Sequence, residues 1–169
     1  MLLAILATVL VTGFLTIVFL NLQAGEKQIR HKLVHEFAVE DPDRERSETM
    51  LAAMGFAKVG VHKSKDVALW RQGDIRIVLN SDREGFAHSW QITHGTSVCA
   101  IALKVQDARA TVSRAKALLE KPHVGAVGPD ELDIPAVRGL GGSLVYFMDP
   151  QTALGRWADV DFTPTGVDA

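Results

Sequence analysis

The chain has 169 residues, with 18 Lys and Arg against 20 Asp and Glu, a formal net charge of −2. That balance excludes the basic footprint of a nucleic-acid binder, and a lone cysteine, Cys99, excludes an internally disulfide-bonded scaffold. The length leaves room for one domain of ordinary size plus an appendage, and the 47% hydrophobic fraction is raised by an apolar start.

In chain order, residues 1–22 carry no charge and the first charged residue is Glu26. A run of about 20 apolar residues is enough to cross a bilayer as a helix. A cleaved signal peptide calls for a basic start and a shorter apolar stretch, neither of which is present. The sequence therefore predicts a transmembrane anchor over 1–24 and a polar linker over 25–32. Lys27, Arg30 and Lys32 follow the run and no basic residue precedes it, so the expected location is a single-pass membrane protein with its domain on the cytoplasmic side.

A domain is expected over 33–161, with 162–169 as a tail. Its first strand covers 33–39. Asp41-Pro42-Asp43 then has the form of a helix start, with a capping side chain, Pro in the first position and acid in the first turn. That helix stops at Gly55. Residues 58–62 follow as a strand, and 64–80 reads as a hairpin. There Val67 and Leu69 alternate with Ala68 and Trp70, Gly73-Asp74 turns the chain, and Ile75, Ile77 and Leu79 resume the alternation. Residues 81–94 read as a polar and aromatic connector with weak strand character.

From Val98 the order begins again. A strand runs into Val105-Gln106-Asp107, and a helix carries Ala108, Val112, Ala115, Leu118 and Leu119. After it come a loop over 121–130 and strands over 132–137 and 143–148. The FAVED segment ending at Asp41 and the LKVQD segment ending at Asp107 are offset by 66 residues, which points to an internal duplication. The fold class expected is α+β: two tandem βαβββ modules, over about 33–80 and 98–149, behind one amino-terminal transmembrane helix, with helices on one sheet face and a concave face opposite.

The segments VHEFAVED, HKSKDVALWRQGDIRIVLN, HGTSVCAIALKVQDA, VGPDELDIPAVR and GGSLVYFMD together resemble the vicinal oxygen chelate superfamily. More narrowly they resemble the amino-terminal half of the 4-hydroxyphenylpyruvate dioxygenase-like region, in the version fused behind a barrel in bacterial 3-dehydroshikimate dehydratases. The resemblance covers about 33–161. It implies, for metal-binding members, a 2-His-1-carboxylate site of the kind suited to non-heme iron. The matching slots here hold Val34, Ala100 and Tyr146. The resemblance thus implies the non-metal half, with no cofactor in this chain and a divalent metal such as iron in the absent half.

No residue is assigned as catalytic. His35 is one residue from a ligand slot, but one residue along a strand is the opposite face. Glu36 shares the concave face with Val34 and Ala38 and is the better polar candidate for a pocket. His88 and His94 have neither a helical nor a strand ligand spacing. Cys99 alternates with Ile101 and Leu103 as a small buried hydrophobe. Asp130, Glu131 and Asp133 lack the loop spacing of a calcium site and read as a charged loop. Gly139, Gly141 and Gly142 precede no helix pattern and so form no dinucleotide fingerprint.

The function expected is a membrane-tethered, non-catalytic scaffold or small-molecule-binding half of a dioxygenase-like protein. The alternative is a fragment of an aromatic-catabolic enzyme whose catalytic parts lie outside this chain. The partners implied are a small aromatic acid, a second half of the same kind or a second copy, and the membrane through 1–24.

Overall fold

A computed structural model describes residues 34–39 and 43–168. Strand β1 (Val34–Ala38) is followed by helix α1 (Asp43–Ala53) and strands β2 (Ala57–His62), β3 (Val67–Gln72) and β4 (Ile75–Asn80). Helix α2 (Gly85–His94) leads to β5 (Ser97–Lys104), α3 (Ala108–Ala117), β6 (Pro122–His123), β7 (Ala136–Arg138) and β8 (Leu144–Met148). A short helix α4 (Trp157–Asp161) runs directly into β9 (Phe162–Pro164).

The strands form one nine-stranded sheet in the order β6-β7-β8-β5-β1-β4-β3-β2-β9. β1 lies parallel to β4 and β5 parallel to β8, whereas β1 and β5 pair antiparallel at the centre. The expectation of an α+β fold of tandem modules behind a transmembrane helix is corrected to a mixed α/β fold. Parallel and antiparallel pairs share a single sheet because the β1–β5 backbone ladder continues from one half into the other. No helix among the described residues is long and apolar enough to cross a membrane. The span expected at 1–24 lies outside the described residues, and the expected single-pass membrane location, cytoplasmic side included, is corrected with it.

Local chemistry explains most boundaries. β3 and β4 pair with Gln72 opposite Ile75, which leaves a two-residue turn. Gly73 opens that turn with φ +56, a conformation that costs an L side chain energy but not glycine. Gly55, at φ +89, ends α1, and the Phe56 N–H reaches back to the Leu51 carbonyl at 3.0 Å. The expected cap Asp41 lies outside the described residues. Its counterpart Asp107 caps α3, accepting the Ala110 N–H at 2.8 Å.

Three stretches differ from the sequence reading. The connector at 81–94 forms helix α2, whose Phe86, Ala87 and Trp90 pack on Ala38, Cys99, Ala100 and Leu144. Most of its residues, Ala87 and Gln91 apart, are indifferent or poor helix formers, so tertiary contact more than propensity stabilises it. The strand expected at 132–137 shrinks to Ala136–Arg138, and β9 adds an edge strand from 162–164 by pairing with β2.

Alternation sorts the sheet into two faces. On one, Ala68, Trp70, Ile77 and Leu79 pack with Leu51 of α1, while Val137 and Phe147 pack with Ala108 of α3. On the other, Val34, Val67, Val78 and Ala102 meet Trp157 and Phe162.

Candidate functional site

The second face is not filled by a helix across its middle. It encloses a cavity of about 220 Å³. Central strand β1 supplies Val34 and Glu36, β4 supplies Val78 and Asn80, β5 supplies Ala100 and Ala102, and β8 supplies Tyr146 and Met148. Trp157 and Phe162 close one end with their rings edge-on, centroids 5.6 Å apart. His123 of β6 and the loop residues 125–127 and 131–134 form the remaining wall.

Glu36 is the polar group of the floor. Its Oε1 accepts Asn80 Nδ2–H at 2.8 Å, and Asn80 is held in that orientation because its Oδ1 accepts the Asp82 N–H at 3.0 Å. Burial pushes the Glu36 carboxyl above its ordinary value, opposed by the Asn80 hydrogen bond and by Lys65. Tyr146 stands nearby, and its phenol is pushed up by burial and then by the Glu36 charge.

The entrance side is more polar. Burial would raise the Glu131 carboxyl, but hydrogen bonds from Lys65, Ser64 and the Gly128 N–H outweigh it and bring the group down to about 2. Lys65 Nζ lies 2.6 Å from Glu131 Oε2. His62 Nδ1 accepts the Ser64 and Lys65 N–H groups, both at 3.2 Å, which leaves the proton of the neutral ring on Nε2. Burial lowers the His62 value, and its ring packs edge-on against Phe162. Buried Asp161 accepts the Leu132 N–H at 3.1 Å and so ties the loop wall to α4.

The slots Val34, Ala100 and Tyr146 all line this cavity, and Glu36 lies among them. His35 is not part of the lining. Its place in β1 alternates with Val34 and Glu36. Cys99 is fully buried at the irregularity where Glu36 opposes Ala100 but Phe37 opposes Val98, and burial pushes its thiol up. His94 stacks on Trp90 in α2, ring centroids 3.9 Å apart. Sequence reasoning missed Asn80, His62, Lys65 and Asp161. For Asn80 a signal existed: it shares the parity of Val78, opposite to Ile77 and Leu79. For the other three no local pattern pointed to the cavity.

The implied metal does not fit these side chains. Two slots are aliphatic, the third is a phenol held protonated by burial, and Glu36 is engaged with Asn80. Among the described residues no group of three or more His, Cys, Asp or Glu side chains is arranged to hold a metal ion.

Residues 31–163 match the family described as hydroxyphenylpyruvate dioxygenase, HPPD, N-terminal. The chain is 45% identical over 128 residues to a 3-dehydroshikimate dehydratase of Pseudomonas putida, covering 76% of this chain and 20% of the relative. It is 39% identical over 115 residues to a 4-hydroxyphenylpyruvate dioxygenase of a Pseudomonas species, covering 68% of this chain and 32% of the relative. Among solved structures, a xylose isomerase-like TIM barrel/4-hydroxyphenylpyruvate dioxygenase fusion protein superimposes with a TM-score of 0.70 at 43% identity, over 79% of this chain and 21% of the other. The chain thus spans about a fifth of the dehydratase and a third of the dioxygenase.

Proposed function

This chain belongs to the hydroxyphenylpyruvate dioxygenase N-terminal family, and from that premise we propose that it is the non-catalytic, small-molecule-binding half of such a protein. Its ligand is a small aromatic acid held in the cavity. One observation carries this reading. The positions that would present metal ligands face a common cavity, yet offer it two aliphatic side chains and a phenol. What remains is a compact pocket with an apolar body and polar groups at its floor and entrance, a makeup suited to a small polar-tipped molecule.

A partner half, or a second copy of the chain, belongs to this proposal because the chain spans only a third of its dioxygenase relative. The same fraction favours one other reading, a piece of a dioxygenase-like or dehydratase enzyme whose catalytic residues lie outside this chain.

Metal content and ligand binding test the first reading. The untagged 169-residue chain is loaded anaerobically with ferrous iron, desalted and assayed for metal, then titrated calorimetrically with 4-hydroxyphenylpyruvate. The expected result is saturable binding without stoichiometric iron and without oxygen uptake. Iron near one per chain, lost in Glu36→Gln, overturns the non-catalytic reading.

A further inference from the structure

The floor of the cavity carries more information than its volume. Glu36 projects from the strand at the centre of the sheet, and only one of its oxygens has a hydrogen-bond partner among the described residues, the Asn80 amide. Asn80 has its carbonyl taken by Asp82, so the amide that faces Glu36 keeps a second N–H. The floor therefore offers one acceptor and one donor side by side, with the Tyr146 phenol nearby and apolar side chains around them.

The remaining charged groups of the lining are differently placed. Glu131 is satisfied by Lys65, Ser64 and Gly128, and Asp161 has one oxygen, Oδ1, engaged by the Leu132 N–H at the wall rather than the floor. Asp133 is exposed. The Lys65 side chain is 38% exposed and stands at the open edge.

We infer that the cavity selects a one-ring aromatic ligand carrying a hydroxyl, and binds it with the hydroxyl inward, donating to Glu36 and accepting from Asn80. A hydroxyl is the small group that both donates and accepts at one atom, which matches the floor. A carboxylate inward would set two acceptor groups against each other, and an ammonium would leave the Asn80 N–H unmet. The volume agrees with one ring, since a dry cavity of about 150 Å³ suffices for benzene. Val78, Ala102, Met148, Trp157 and Phe162 sheathe the ring, and the ligand's own acid group stays at the solvent edge near Lys65.

This inference rests on the proposed binding function, and its test keeps the two apart. 4-Hydroxyphenylacetate and phenylacetate differ only in the hydroxyl and are titrated into the 169-residue chain by calorimetry. The hydroxylated compound is expected to bind at least about tenfold tighter, because a site built to pair a hydroxyl is left with unmet polar groups by the analogue lacking it. In Glu36→Leu that preference is expected to vanish while phenylacetate still binds, which also shows that the variant is folded. Equal affinity of the two compounds for the unsubstituted chain, or a preference that survives in Glu36→Leu, overturns the inward hydroxyl and leaves ligand binding standing. Binding of neither compound overturns the inference together with the proposed function.

Discussion

Neighbouring residues of a single strand meet opposite fates in this domain. In β4, Ile77 and Leu79 are pressed against Leu51 of α1, whereas Val78 and Asn80 turn to the cavity. In β1 the same step separates Phe37, packed with the helix-side core, from Val34 and Glu36. The helix face is apolar, and its residues touch on every side. The cavity face is apolar too, but it leaves room, and in that room it places a carboxylate and an amide. One face is arranged for stability and the other accepts polar groups that stability alone does not call for.

The comparison is broken most directly by deleting the same kind of atoms on the two faces. Leu79→Ala, at 2% exposure, is expected to cost about 2–5 kcal/mol in denaturant melts, as buried leucines generally do. Val78→Ala, one residue away, removes less and removes it beside space already open, so about 1 kcal/mol is expected. Equal losses would mean that the cavity face is packed as tightly as the other.

Helix α3 docks on the helix face, and Asp107 holds its first turn. Asp107→Ala is expected to cost about 0.5–2 kcal/mol, and Asp107→Asn distinctly less, both read from denaturant midpoints.

Two carboxylates on the cavity side are expected to bend the pH dependence of stability in opposite ways. Glu131 lies below its ordinary 4.5, at about 2. The stability it contributes is therefore present above about 4.5 and lost as pH falls toward 2. Glu131→Gln should flatten that acid limb of the melting temperature, and an unchanged limb would remove Glu131 from the acid response. Glu36 lies above its ordinary value because burial disfavours its charge. Its contribution is complete below 4.5 and is lost as pH rises through the folded value. Glu36→Gln keeps an acceptor for Asn80 and removes the charge, so it should melt slightly higher than the unsubstituted chain at pH 8 and alike at pH 4. A lower melting temperature at both values would show that the Glu36 carboxylate supports the fold instead of straining it.

Legibility followed the range of the interactions. The hairpin at Gly73-Asp74, the stop at Gly55 and the cap at Asp107 could be read because each depends on residues within a few positions. Helix α2 could not. It is made mostly of Gly, Phe, His, Ser, Trp, Ile and Thr, with one Ala and one Gln, and it exists because Phe86, Ala87 and Trp90 find Cys99 and Leu144 across the chain. The two faces were written in the alternation of β1 and β4, which sets Glu36 apart from His35. The apolar run at 1–24 carried an equally clear hydropathy pattern, but it lies outside the described residues, and no helix among those is long and apolar enough to cross a membrane.

By itself the sequence determined which residues alternate and where the chain turns, because dihedral preferences, caps and hydrophobic period are local, and its segments carried the resemblance to the family. The tertiary structure alone decided that Asn80 would meet Glu36 from 44 residues away and that Lys65 would meet Glu131 across 66. It also decided that Trp157 and Phe162 would close the far end of the cavity. Those meetings depend on the order of strands in the sheet, and no short window of sequence contains that order.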